Sequence, residues 1–308
     1  MKNISVINLF IAAFFTVFLT SCATQSPKIV KQVVRDTVII NKTTDKFESA
    51  RIAKLAKYKM STSHYPAVGQ DQRVRFLILH YTALDNDASL RVLTQQQVSS
   101  HYLVPDDFSD SIYILVDETK RAWHAGRSYW KGINNVNFSS IGIEIVNQGY
   151  STSSETTDGR YFYDFPSKQI DKVAELAKDI INRYEIDPVN VLAHSDVAPQ
   201  RKHDPGPKFP WKRLYDKYGI GAWYEDVHKQ MYLPQFPYGQ TSSYSFIYSV
   251  QEDLEKYGYE ISKTGNWDEQ TTKVITAFQY HFRPEKYDGF MDAETWAILK
   301  ALILKYRN

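Results

Sequence analysis

The chain has 308 residues, and its 37 Lys and Arg nearly balance 35 Asp and Glu, for a formal charge of +2. That balance lacks the basic excess of nucleic-acid binders, so no nucleic-acid partner is expected. One cysteine, Cys22, excludes a disulfide framework, so a metal site must be built from His, Asp or Glu.

Lys2 precedes an apolar stretch, Val6–Leu19, interrupted by Asn8 and Thr16. This is the length of a secretory signal core and short of the ~20 residues that a membrane span needs. It ends in Leu19-Thr20-Ser21-Cys22, which resembles the bacterial lipobox. That resemblance implies a lipoprotein signal over residues 1–21, acylation of Cys22, and a membrane anchor at the new N-terminus. Ala23 in place of Asp after the cysteine implies the periplasmic face of the outer membrane. An ordinary secretory signal with an incidental cysteine is the alternative. Residues 22–72 read as a lipidated tether, with a strand pattern at 33–40 and a helical pattern at 47–60 that carries Arg51, Lys54, Lys57 and Lys59.

Regular structure becomes legible from Val74. Val74–His80 is a near-continuous apolar run of the kind buried on both faces of a sheet, and it ends in a histidine. Leu90, Leu93 and Val98 suggest a helix after Asp87, and His101–Val104 returns to extended chain. Strands are expected at 112–116, 141–146 and 189–193. Within Ile141–Val146, period-two alternation puts Glu144 opposite Ile143 and Ile145, on the face of Gly142, where a missing side chain leaves room. Ile170, Val173, Leu176, Ala177, Ile180 and Ile181 form an amphipathic helical stripe, with Ser167 placed to cap it. Helices alternating with apolar strands predict an α/β layer structure.

The stretch Val191–Pro207, VLAHSDVAPQRKHDPGP, delivers His194 at a strand end and Asp204 before a proline turn. Such residues are either a satisfied polar group and a turn former, or part of a zinc coordination sphere that needs one more protein ligand. Five of the eight histidines fall between His80 and His203, and both His80 and His194 end buried strands, where neighbouring strands bring side chains to one place.

Five ordered blocks then acquire a common meaning: Leu77-Ile-Leu-His-Tyr-Thr82, Ser99-Ser-His-Tyr-Leu-Val104, Ala122-Trp-His-Ala-Gly126, Ile141-Gly-Ile-Glu-Ile145 and Ala193–Gly206. Together they resemble the N-acetylmuramoyl-L-alanine amidase type 2 family, which includes the peptidoglycan recognition proteins. The resemblance implies a mixed central sheet flanked by helices over residues 73–231. It also implies one zinc ion on His80, His194 and Asp204, with Glu144 and Lys202 as catalytic residues. Hydrolysis of the amide between the lactyl group of muramic acid and L-alanine of the stem peptide, on peptidoglycan and muropeptides, follows from the same likeness. Trp123, His124, His101 and Asn147 are candidates to line the substrate groove, with core packing the rival reading for Trp123 and His101. His203 adds a nitrogen beside the set and is expected to point away. A non-catalytic wall-binding lipoprotein is the competing function class. The presence of all five metal and catalytic residues favours the enzyme, read as a monomer.

Residues 232–243, with Pro234, Pro237 and Gly239, read as a linker. After it, Gly265-Asn-Trp-Asp-Glu-Gln-Thr271 and Gly289-Phe-Met-Asp-Ala-Glu-Thr295 repeat G-x-x-D-x-x-T, with Asp as helix cap and Thr at the third helical position. Apolar stripes at 247–257, 274–278 and 296–303 complete a small all-α domain of three helices over 244–308. It resembles peptidoglycan-binding domains of wall enzymes; a helical addition that only packs on the catalytic part is the alternative.

Overall fold

From Gly69 onward the chain puts its apolar strands first and its capped amphipathic helices last, and the two parts belong to one unit, Gly69–Asn308. The computed structural model describes residues 55–60, 67–107, 109–152 and 159–307. The signal peptide, Cys22, the strand pattern at 33–40 and most of the tether lie outside the described residues. Residues 55–60 are irregular and exposed, so the helix expected over 47–60 does not run to Met60.

In chain order the strands are β1 (Phe76–Tyr81), β2 (Tyr102–Val104), β3 (Tyr113–Ile114), β4 (Tyr129–Trp130), β5 (Ile133–Asn134), β6 (Ser140–Ile145), β7 (Tyr150–Thr152), β8 (Arg160–Phe162) and β9 (Val191–Ala193). The main sheet is ordered β3-β2-β6-β1-β9. β2, β6, β1 and β9 run parallel, and β3 is antiparallel to β2, so the sheet is mixed as expected. β4–β5 and β7–β8 are separate two-stranded ribbons. The expected strand at 112–116 shrinks to two exposed residues, since an edge strand has a partner on one side only.

The helices are α1 (Asn86–Gln95), α2 (Ser167–Tyr184), α3 (His194–Val197), α4 (Trp211–Tyr218), α5 (Asp226–Tyr232), α6 (Tyr244–Tyr257), α7 (Glu269–Phe282) and α8 (Ala293–Tyr306). α1 is capped by Asp85, whose carboxylate accepts from Ala88 N–H at 2.8 Å. Ser167 does not cap α2. It is the first helical residue, and Pro166 takes the cap position with its φ of −56°.

The repeat in the C-terminal half is structural. Asp268 and Asp292 accept from the N–H of Thr271 and Thr295, at 2.8 and 2.9 Å. The matching partners were not read from sequence: Gln251 on α6 and Gln279 on α7. Each accepts the N–H of the loop glycine, Gly265 or Gly289, and donates to the hydroxyl of Thr271 or Thr295. The residues that form the three apolar stripes, Ile247, Val250, Leu254 and Tyr257, then Val274, Ile275 and Phe278, then Trp296, Leu299 and Ile303, are all buried. The stretch 232–243 is not loose chain: Phe236 is buried edge-on to Phe246 and Trp296.

The two halves share a core. Trp130 packs edge-on against Tyr257 and Tyr259, with centroids 5.9 and 5.0 Å away. Trp211 stacks on His281 at 3.8 Å. Among the described residues no helix is long and apolar enough to cross a membrane.

Candidate active site

Sheet register builds the site. On adjacent parallel strands His80 pairs with Glu144, and Leu79 pairs with Ala193, so His194 follows at the level of His80. Three chemistry-bearing side chains therefore sit side by side where β6, β1 and β9 end. The crevice outside the carboxyl ends of parallel strands is where α/β sheets hold ligands. Asp204 arrives from the loop after α3, tied back by a bond from Ser195 N–H to its own carbonyl at 2.9 Å.

Three polar atoms converge there. His80 Nδ1 lies 2.9 Å from His194 Nδ1, and both face the same oxygen, Asp204 Oδ2, at 3.1 and 2.9 Å. All three residues are buried, and each offers one ligand atom within 4.8 Å of the others. The far nitrogen of His194, Nε2, is 3.1 Å from the carbonyl of Ala125. A carbonyl only accepts, so that nitrogen donates to it, and Nδ1 is the atom turned toward Asp204. Burial, then the neighbouring His194, lowers the His80 pKa to about 4, which keeps that ring neutral at pH 7. Burial alone would raise Asp204, but His194 and His80 overcome it and hold the carboxylate far below its usual range. Two imidazole nitrogens and a carboxylate oxygen aimed at one point suit a divalent cation, and two N donors with one O donor match the protein ligands of a catalytic zinc site.

Glu144 stands beside this cluster. Its Oε2 is sealed from solvent and has no hydrogen-bond partner. Burial, then the charge of Asp204, raises its pKa well above the ordinary carboxyl value, with Lys202 opposing. The Lys202 charge bears on both Glu144 and His80. Arg201 lies behind His194: its guanidinium donates to the carbonyls of Ala125 and Arg127, and its Nη2 is 3.5 Å from His194 Nε2. His203 stays out of the cluster, edge-on to Tyr150 and Tyr280 at 6.1 and 6.3 Å.

The groove candidates separate. Trp123 is 58% exposed, with Arg121 stacked over its ring at 4.8 Å, and remains available to a ligand. His124 is buried behind His80: its Nδ1 is 3.0 Å from His80 Nε2, and its Nε2 is 3.1 Å from Ser140 Oγ. It packs behind His80 and bonds that ring's far nitrogen rather than facing a groove. Gly142 makes room for that ring, because a Cβ there would lie 2.5 Å from His124 Cγ. His101 is likewise structural: its Nδ1 accepts from Gly142 N–H at 3.0 Å and its Nε2 donates to the Lys120 carbonyl at 3.1 Å. Asn147 is spent on its own loop, accepting from Gly149 N–H and donating to the Asp164 carbonyl.

A cavity of about 250 Å³ opens beside Lys202 and His203, and its far wall is α7, with Thr272, Thr276 and Tyr280. Arg160 and Lys273 add positive charge to its rim.

A mixed sheet that ends in a His–His–Asp cluster with a buried glutamate oxygen beside it fits a hydrolase of the amidase class. Residues 70–207 match the family model described as N-acetylmuramoyl-L-alanine amidase, and residues 243–299 match one described as a peptidoglycan binding domain. The chain is 47% identical over 240 residues to N-acetylmuramoyl-L-alanine amidase AmiD of Escherichia coli (strain K12), covering 76% of this chain and 84% of the relative. The structure of E. coli AmiD in complex with the substrate anhydro-N-acetylmuramic acid-L-Ala-D-gamma-Glu-L-Lys aligns with a TM-score of 0.73 at 42% identity, over 83% of this chain and 98% of that one. AmpDh3 from Pseudomonas aeruginosa, in complex with anhydromuramic pentapeptide, aligns at 0.71 with 40% identity, over 84% and 100%. The chain belongs to the N-acetylmuramoyl-L-alanine amidase family and is an enzyme of that activity.

Proposed function

We propose that this protein is a zinc-dependent amidase that hydrolyses the bond between the lactyl carbonyl of muramic acid and the L-alanine of peptidoglycan stem peptides. Anhydro-muramyl peptides are among its substrates, as in the two complexes above. The observation that carries this reading is the unpartnered Oε2 of Glu144 beside three convergent ligand atoms.

His80, His194 and Asp204 hold the metal, which when bound supplies Lewis acidity and a lowered water pKa. Glu144 accepts a proton from the attacking water and returns it to the nitrogen as the C–N bond breaks, leaving a carboxylic acid and a free amine. Burial and the Asp204 charge raise its proton affinity, which suits a group that must both take and give a proton near neutral pH. The Lys202 ammonium offsets negative charge that develops on the carbonyl oxygen. Trp123 offers an exposed ring face to the sugar. The cavity beside Lys202, with Arg160 and Lys273 at its rim, receives the carboxylates of the stem peptide.

In the domain plan that goes with this reading, residues 1–21 are the signal, 22–72 a tether lipidated at Cys22, 73–231 the amidase, 232–243 a packed connection and 244–308 the wall-binding part. The tether holds the enzyme at the periplasmic face of the outer membrane, where it acts in wall turnover.

Incubation of the purified protein with muropeptides, with products identified by mass, tests the reaction. A strong chelator is expected to abolish cleavage and added zinc to restore it. Full activity in protein shown to be metal-free would overturn the zinc reading. For the anchor, Cys22→Ser behind another export signal should move the protein to the soluble periplasm, and unchanged membrane association would remove the lipid from the plan.

A further inference from the structure

Asp196 is the third residue of α3, two positions after His194, and is fully buried. Its carboxylate is saturated. Oδ2 accepts from Ala193 N–H at 2.8 Å and from His281 Nδ1 at 2.7 Å, and Oδ1 accepts from the Tyr259 hydroxyl at 2.7 Å. The first bond closes the opening turn of α3, as an acid at the third helical position does by reaching back to the residue before the helix. The other two come from the C-terminal helical part: His281 from α7, and Tyr259 from the chain just after α6. His281 is fixed in turn by its stacking on Trp211 at 3.8 Å.

α3 is four residues long, and so short a helix cannot hold its own geometry. Yet it carries one of the three ligand positions and tethers a second. His194 is its first residue, and Ser195 N–H holds the backbone of Asp204 at 2.9 Å. His194 is also held by the Ala125 carbonyl, and the restraint on α3 that comes from the other half is the Asp196 carboxylate with its two donors.

On the reading of His80, His194 and Asp204 as the zinc ligands, we infer that Asp196, His281 and Tyr259 are positioning residues through which the C-terminal three-helix part holds α3 and fixes the zinc site. The amidase and the wall-binding part are then one catalytic scaffold, because the second domain sets the geometry of the first domain's metal ligands. Removal of either donor leaves a buried carboxylate short of a partner and lets α3 shift. The rings of His194 and His80 then no longer aim at one point.

The test uses the full chain. His281→Leu removes the donor, His281→Asn restores an N–H near the position of Nδ1, and Tyr259→Phe removes one hydroxyl and nothing else. Lys305→Met is the control: Lys305 bonds Tyr215 and the Trp223 carbonyl across the same interface, away from α3. Zinc affinity is measured by competition with a chelating dye, the cobalt-substituted protein gives a ligand-field spectrum, and circular dichroism reports folding. His281→Leu and Tyr259→Phe should weaken zinc binding by roughly tenfold or more and alter the cobalt spectrum, on the scale seen when the partners of a metal ligand are lost. His281→Asn should recover most of the affinity, and Lys305→Met should lower thermal stability alone. Folded His281→Leu with wild-type affinity and spectrum overturns the inference. Should His281→Leu not fold, Tyr259→Phe decides, and wild-type affinity there overturns it equally. A wild-type protein that binds no zinc defeats the zinc reading of the site instead, so the two failures are distinguishable.

Discussion

The metal corner and the three-helix part are built on opposite principles. The first gathers residues far apart in sequence: His80 and His194 are 114 positions apart, and their contact exists only because β1 and β9 are adjacent in register. The second is assembled from local rules used twice, with a glycine turn, an aspartate cap, a threonine three positions on and a glutamine from the preceding helix. A site set by long-range register is sensitive to whatever shifts the sheet ends, whereas a capped repeat fails one turn at a time. The two meet at α3, where the locally specified part restrains the globally specified one.

The sharpest way to separate chemistry from scaffolding in the metal corner is Glu144→Gln. Glutamine keeps the shape but cannot accept a proton, so the rate should fall by about 10²–10⁴-fold, the usual contribution of general acid–base catalysis. Zinc content should be unchanged, since Glu144 is not one of the three residues whose ligand atoms converge. Activity within about threefold of wild type removes it as the base. Lost zinc together with lost activity makes it a ligand and reopens the role of Asp204.

The next break is at the seam between the halves. Gly258 has a φ of +151°, its carbonyl accepts from Lys131 N–H at 2.8 Å, and a Cβ there would lie 2.6 Å from Trp130 Cε2. Gly258→Ala should therefore cost ~1–3 kcal/mol of stability, the usual penalty for an overpacked contact, read as a shift in the denaturant midpoint. A neutral result would show that the seam yields easily. The seam also revises an expectation from the sequence, in which the amidase and the helical part read as separable. Trp130 and Asp196 are buried against the C-terminal half, so a chain cut after Gly239 exposes an apolar face and leaves a buried carboxylate without two partners.

What was legible in the sequence follows the same division. Apolar runs that end in histidine marked β1 and β9, and strand parity put Glu144 on the right face, because a strand fixes direction with period two. The caps at Asp268 and Asp292 were legible because a cap is local. His124, His101 and Asn147 were not, because motif position says that a residue is near a site but not which way its ring faces. Gly142 held the missing signal: its space serves the His124 ring, not Glu144. The Asp196 junction left no trace, since its partners lie 63 and 85 residues away with no shared pattern.

Lys273 tests whether the helical half also meets substrate. Its side chain is partly exposed, pairs with Glu269 and lies at the rim of the cavity beside Lys202. Lys273→Glu should raise KM for muropeptides by about threefold to fivefold with kcat unchanged, the scale of a surface charge worth under ~1 kcal/mol. An unchanged KM places the stem peptide elsewhere.

The smallest effect concerns the sheet away from both features. Glu118 accepts from the hydroxyls of Tyr102 and Tyr184 and from both Arg183 Nη atoms, at 2.5 to 2.8 Å, linking β2 to α2. Burial would raise its pKa, but Arg183 and the two tyrosines prevail and depress it to about 2. A carboxylate with a lowered folded-state pKa adds stability above its unfolded value near 4.3, and that stability is lost as pH falls toward about 2. Glu118→Gln should therefore lower Tm by roughly 2 °C at pH 7, a modest figure because the network is half exposed. The gap to wild type should narrow at pH 3, inside that window, as the wild type loses the carboxylate's contribution and the glutamine variant has none to lose. An equal gap at both pH values would trace the contribution to hydrogen-bond geometry and packing, and remove the charge of Glu118 from the account.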